Sequence, residues 1–304
     1  MLEIFTSEIK KALSTLNLKN IYEIRLRVNK PIAVNVLGKL NFLSYKGLTT
    51  KLQEAIVVTK SEMNTIFYSI CQHSVYSVND ELKQGYVTIK GGIRVGVAGQ
   101  LVYENSEVLT IKGVSSLNIR IPHEVVGFAE MAFNYCLTNS FENTLIISPP
   151  GSGKTTLLRD LARQISKHNI AYNLMIIDER NEITNTIDSV ASFDTGYFTD
   201  VLTNCSKMYG FQAGIRTLRP DIIFTDEIGG IDDIEAIEKA ATCGIKIAAT
   251  IHAASINDLK NKKELSSILN SKLFKRYILL SNRKGVGTYE GIFDENFKLL
   301  YREI

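Results

Sequence analysis

A chain of 304 residues with 45% hydrophobic side chains is long enough for two domains and can bury a large core. Its net charge of +3 is small and mixed along the chain, which gives no sign of a dedicated nucleic-acid surface, and no stretch approaches the ~18 uncharged apolar residues that would span a membrane. Cys71, Cys136, Cys205 and Cys243 are widely spaced without a Cys-x-x-Cys pair, so reduced thiols are expected in place of a disulfide framework or zinc site.

The N-terminus has acidic residues and no apolar core of signal-peptide type. Residues 2–16 carry Ile4, Ile9, Leu13 and Leu16 at helical spacing. Ile21 to Val28 alternates instead, with Ile24, Leu26 and Val28 on one side and Glu23, Arg25 and Arg27 on the other, the period of a half-exposed strand. Segments 32–36 and 39–43 read as strands around Gly38. Ser61 is the expected cap of a helix reaching about residue 72, and residues 73–84 read as a second, shorter helical piece. Strands are expected at 86–90, 93–98 and 101–104, broken by Gly91-Gly92 and Gly99-Gln100, and a last one at 116–121. This part reads as a small mixed α/β domain.

Pro122 begins the junction, and a helix over 125–139 leads into the rest, so the boundary falls near residues 121–140. Strands at 143–147, 173–177, 221–225 and 245–250 alternate with helices at 154–167, 205–217 and 233–241, a pattern that argues for a parallel sheet with helices on both faces. A long polar connection follows residue 177. Asp232 with Glu235 resembles a capping box for the 233–241 helix. Three strand-like pieces near the end, 277–280, 288–293 and 298–301, extend the sheet.

Residues 143–156 contain the first chemistry. Leu145, Ile146 and Ile147 form a buried strand, and Ser148-Pro149-Pro150-Gly151-Ser152-Gly153-Lys154-Thr155-Thr156 is a Gly-rich turn opening a helix. Gly151 and Gly153 leave no Cβ in the way, so successive N–H groups can face one anion, with the positive end of the helix dipole behind them. Lys154 would reach the β and γ phosphates of a nucleotide such as ATP, and the Thr155 hydroxyl would enter the shell of Mg²⁺. The full P-loop pattern has glycine where this chain has Ser148. On the following helix, Leu157, Leu158, Leu161, Ala162 and Ile165 share the inner face, with Arg159, Asp160, Arg163 and Lys167 expected outside.

Asp221-Ile-Ile-Phe-Thr-Asp226-Glu227 is an apolar strand ending in two carboxylates, the Walker B pattern: Asp226 would hold Mg²⁺ and Glu227 would orient or activate the attacking water. Ile176-Ile-Asp178-Glu179-Arg180 repeats the design, and spacing leaves open which of Asp178 and Glu179 faces the metal. It also leaves Arg180 and Glu182 between a surface and a catalytic role. Thr250 and His252 end a third strand, where the histidine could meet the γ phosphate or a carboxylate.

These motifs in this order resemble the ATPases of type II and type IV secretion and of pilus motors. With Ile24-Arg-Leu-Arg-Val28, Gly85 to Gly96, Ser115 to Ile121, Thr199-Asp-Val-Leu202, Arg216, Asp226-Glu-Ile-Gly229 and Arg283-Lys-Gly285 added, the chain resembles the stage III sporulation protein AA family of endospore formers over nearly its whole length. Ser148 fits that family. The resemblance implies a RecA-like P-loop NTPase domain over residues 125–304 behind a smaller N-terminal mixed α/β domain over 1–124. It also implies a Mg²⁺-dependent ATPase in the mother-cell cytoplasm, docked on the membrane-embedded sporulation channel proteins that join mother cell and forespore. Such ATPases assemble as homo-oligomeric rings, here expected to be hexameric, in which arginines of the small domain reach the γ phosphate. Arg94 and Arg120 are the first candidates for that role, then Arg25, Arg27 and Arg216. Two other readings are a nucleic-acid-stimulated RecA-type translocase, for which no basic, aromatic-lined groove is found, and a platform that binds ATP with little hydrolysis, against which Lys154, Asp226 and Glu227 count.

Overall fold

A computed structural model describes residues 1–90, 92–104, 106–168, 172–187 and 189–302. The first glycine of the expected Gly91-Gly92 turn lies outside them. The chain divides into two compact units, Met1–His123 and Glu124–Ile304.

The first unit contains α1 (Ser7–Ser14), β1 (Ile21–Arg27), β2 (Ala33–Val36), β3 (Lys39–Ser44), β4 (Gly47–Thr49), α2 (Lys60–Ile70), α3 (Asn79–Lys83), β5 (Tyr86–Ile89), β6 (Ile93–Glu104) and β7 (Glu107–Arg120). The strands form one antiparallel sheet in the order β4-β3-β2-β1-β7-β6-β5. The alternation read in β1 is what buries Ile24 and Leu26 among Ile9 and Leu13 of α1 and Met63 and Ile66 of α2. Three local expectations change. Helix α2 is capped by Thr59, whose hydroxyl accepts the Glu62 N–H while Glu62 accepts the Thr59 N–H, so Ser61 lies inside the helix. Helix α3 is only the last part of the 73–84 segment, after a short 3₁₀ turn at Tyr76–Val78. Gly99 does not break a strand: β6 runs through it with a shift of register, and a Cβ there would lie 2.7 Å from the Lys112 carbonyl oxygen on β7.

The second unit contains α4 (Glu130–Cys136), β8 (Thr144–Ser148), α5 (Lys154–Ser166), β9 (Leu174–Asp178), β10 (Thr186–Ile187), β11 (Val190–Ala191), β12 (Thr199–Thr203), α6 (Lys207–Ala213), β13 (Ile222–Thr225), α7 (Ile231–Thr242), β14 (Lys246–His252), α8 (Ile256–Lys260), α9 (Ser266–Asn270), β15 (Arg276–Ser281), β16 (Thr288–Phe293) and β17 (Leu299–Tyr301). Its main sheet has the order β12-β9-β13-β14-β8-β15-β16-β17, with β8 parallel to both neighbours and only β16 and β17 joining antiparallel. Strand residues alternate between two cores. Leu145 and Ile147 pack with Phe211, Ile234 and Ile237 under α6 and α7, whereas Ile146 packs with Leu157, Leu161 and Ile165 under α5.

The polar connection after β9 holds a small hairpin, β10-β11, and then β12, which pairs parallel to β9 at the sheet edge. Helix α4 is shorter than the expected 125–139, and α7 begins behind Gly230, whose N–H faces the Asp233 carboxylate, so Asp232 is not its cap. On α5, Arg159 and Asp160 are buried, against expectation, because further segments cover that side. Arg159 donates to the carbonyls of Glu182 and Ile183 and stacks on Phe193, its guanidinium 3.8 Å from the ring centre, and Asp160 accepts the Ala129 N–H at 2.7 Å. Burial lowers the Arg159 pKa to about 10, although Glu124, Asp178, Asp226 and Asp160 pull it the other way.

Candidate functional site

The parallel strands β8, β9, β13 and β14 end on the same edge of the sheet, where open α/β sheets bind ligands. Gly151 and Gly153 both have positive φ, 72° and 89°, and Gly153 is the N-cap of α5. At Gly151 a Cβ would meet nothing within 4 Å, so its backbone borders open space. Ser148 is buried and its hydroxyl donates to the Pro149 carbonyl at 2.7 Å, which stiffens the turn. The Ser152 hydroxyl is buried with no hydrogen-bond partner among the described residues.

Register brings three strand ends to this turn. His252 lies opposite Ser148 across β14 and β8, and Asp226 follows Thr225, which pairs with Ala249 next to Thr250. Asp226 is therefore held between two hydroxyls: Thr155 Oγ1 donates to Oδ2 at 2.5 Å, and Thr250 Oγ1 donates to Oδ1. The Thr250 oxygen in turn accepts the Glu227 N–H at 2.9 Å. Glu227 has a φ of 48°, a left-handed conformation that a non-glycine residue adopts at some cost in strain.

Glu227, His252, Lys154 and Arg180 form the second half of the site. The Lys154 ammonium is 3.2 Å from His252 Nδ1, and His252 Nε2 is 2.9 Å from Glu227 Oε1, so a ring protonated on Nε2 accepts from the lysine and donates to the glutamate. Arg180 Nη1 lies 2.5 Å from the other oxygen, Glu227 Oε2. Burial alone would raise the Glu227 carboxyl, but the His252 hydrogen bond and the charges of Arg180, His252 and Lys154 outweigh it and hold it below its ordinary value of 4.5. Burial pushes the Lys154 ammonium down from its ordinary value, against Asp226, Glu227 and Glu182.

Asp178 and Glu179 reach the same cleft, beside Arg180, Glu182, Asp226 and Glu227, but each is already engaged. The buried Asp178 carboxylate accepts the N–H groups of Glu182, Ile183 and Thr184 and the Thr184 hydroxyl, at 2.8–3.1 Å. It fastens the chain after β9 at the wall of the cleft. Glu179 pairs with Lys207 at 2.6 Å. Arg180 and Lys207 were not among the expected site residues. Arg180 had an ambiguous position, and Lys207 had a signal, a cation in the first turn of a helix, where the dipole disfavours it.

Arg25, Arg27, Arg94 and Arg120 lie on the first unit's sheet, and Arg216 lies in the second unit, in the helical turn Gly214–Leu218. Arg25 pairs with Glu23 at 2.9 Å, Arg94 sits over the Tyr86 ring with its guanidinium 4.6 Å from the centre, and Arg120 lies 3.9 Å from Glu23. Arg94 and Arg120 are register partners across β6 and β7. Arg27 and Arg216 are exposed.

No helix among the described residues is long and apolar enough to cross a membrane. In fold, the chain is similar to the ATPase DotB of Legionella pneumophila (TM-score 0.59, 15% identity, 86% of this chain and 72% of that one) and to the pilus retraction motor PilT solved with bound ADP (0.58, 18%, 92% and 77%). It therefore has a RecA-like P-loop fold with a smaller N-terminal mixed α/β unit. In sequence it is 37% identical to stage III sporulation protein AA of Bacillus subtilis (strain 168), over 99% of this chain and 96% of that protein. The family described as "Sporulation stage III, protein AA" matches residues 1–300, and the chain belongs to that family.

Proposed function

We propose that the Glu124–Ile304 unit binds ATP with Mg²⁺ and hydrolyses it, and that the whole chain is a motor or assembly ATPase of the channel between mother cell and forespore. The observation that carries this is the joining of the Lys154 turn, Asp226 and Glu227 through Thr155, Thr250 and His252 at one sheet edge. Mg²⁺ fits these residues: Asp226 already meets the Thr155 hydroxyl, the glycine turn offers open backbone, and a cation held by one carboxylate, one hydroxyl and substrate phosphates suits its chemistry. Asp226 and Thr155 would hold it, and when bound it neutralises charge on the β and γ oxygens.

The other roles follow from the contacts. The Gly151–Gly153 turn and α5 cradle the phosphates, and Lys154 exchanges the His252 ring for their oxygens. Glu227, kept ionised by Arg180 and His252, aligns the attacking water. His252 touches both Lys154 and Glu227, so a change at the phosphate is felt at the base. Copies would assemble into a ring, with Arg94 and Arg120 as candidates to reach a neighbour's γ phosphate, and the protein would sit on the cytoplasmic mother-cell side through membrane partners.

Steady-state phosphate release tests the enzyme. We expect Glu227→Gln to lower kcat by about 100-fold while ATP still binds, and Lys154→Ala to weaken binding itself. Background rates shared by the unmodified chain and Glu227→Gln would leave only a nucleotide-binding platform.

A further inference from the structure

Lys207 is a charged side chain buried to 7% exposure at the start of α6, and the reading above leaves it without a role. A buried ammonium is unfavourable unless paired, and the helix dipole adds to the penalty. Two carboxylates offset it: Glu179 Oε2 at 2.6 Å and Asp233 Oδ2 at 3.9 Å.

Each of these carboxylates belongs to a segment that carries part of the site. Glu179 immediately precedes Arg180, whose guanidinium grips Glu227 at 2.5 Å. Asp233 Oδ2 accepts the N–H groups of Gly229 at 3.1 Å and Gly230 at 3.5 Å, the two glycines that follow Glu227-Ile228. Glycine pairs leave a chain free to wander, and Glu227 itself sits in a strained left-handed conformation. On the β14 side Thr250 holds the turn by accepting the Glu227 and Ile228 N–H groups at 2.9 Å each, and on the side of α6 and α7 Asp233 holds its two glycines. Lys207 also lines the cleft that Asp226 and Glu227 share.

We propose that Lys207 is a positioning residue: through Glu179 and Asp233 it ties the end of β9 to the turn after β13, and so fixes Arg180 and Glu227 against each other for water attack. This rests on the ATPase reading. Lys207 touches neither phosphate nor water in this scheme, so its loss should reach the rate and spare the binding.

The test uses the full chain with Lys207→Met, Lys207→Arg and Glu179→Gln, reading phosphate release and amide exchange at Gly229 and Gly230. Lys207→Met should lower kcat by about 10- to 100-fold, the scale of a misplacement near 1 Å, with KM for Mg–ATP within about threefold of the unmodified value. Exchange at both glycines should quicken, and Lys207→Arg should recover most of the rate. Should Lys207→Met fail to fold, Glu179→Gln must give the same split, since Glu179 is 43% exposed and tolerates the change. A normal kcat, a loss confined to KM, unchanged glycine exchange, or an arginine variant as slow as the methionine one would each overturn the brace. An unmodified chain that shows no turnover overturns the hydrolytic reading instead, and glycine exchange still decides whether Lys207 holds the turn.

Discussion

Asp178 and Asp226 stand at equivalent places, at or just beyond the end of a buried parallel strand, and what meets their oxygens separates them. Asp226 meets two threonine hydroxyls at the phosphate turn, whereas Asp178 meets three backbone N–H groups and a hydroxyl of the segment that follows it. From the chain alone both are acids after an apolar run, and that much was legible. Which one is consumed locally depends on residues 182–184 folding back, a tertiary event with no periodic signature. Asparagine at 178 would keep the volume but turn an amide NH₂ toward N–H donors. Asp178→Asn should therefore cost about 2–3 kcal/mol, as for a lost charge-assisted hydrogen bond with a stranded buried donor. Urea unfolding with an unchanged slope would show it as a lower midpoint. A midpoint equal to that of the unmodified chain would mean that the carboxylate charge is dispensable there.

Elements with a strong period were read well. β1 alternates, α5 carries its apolar face, and β8, β13 and β14 are short buried runs in the order a parallel sheet needs. The failures are of two kinds. β12 is a five-residue edge strand with threonine at both ends and has too little apolar content to stand out from a loop. Arg159 and Asp160 looked like an outer face because helix periodicity records one buried stripe and cannot count the segments that cover a second. The start of α2 is a subtler case: Thr59 and Ser61 are both plausible caps, and only Thr59 has a glutamate three residues on to close the reciprocal pair. Thr59→Ala should thus destabilise by about 1 kcal/mol while Ser61→Ala stays within roughly 0.5 kcal/mol of neutral. Chemical denaturation of the two variants side by side checks this, and equal losses would show that the cap contributes no more than any surface hydroxyl.

At the scale of the whole molecule, the first unit raises a question that its own fold does not answer. Arg94 and Arg120 stand opposite each other across β6 and β7, and like charges in that position repel. Glu23 lies opposite Arg120 on the other side and binds Arg25 at 2.9 Å, so this carboxylate serves Arg25 and, more distantly at 3.9 Å, Arg120. Two guanidiniums side by side on one sheet can also receive a single anion between them. If that anion is the γ phosphate bound by another copy, two consequences follow together. Mass measured in solution with ATP and Mg²⁺ should show a closed assembly of several copies, and a double Arg94→Ala, Arg120→Ala chain should lose turnover while keeping its own nucleotide affinity and its thermal stability. Removing charges that repel should not weaken the fold that carries them, so a stability loss would reassign the arginines to ordinary surface pairing. A strict monomer under all conditions would remove the cross-subunit role altogether, because no cradle of a second copy would then be within their reach.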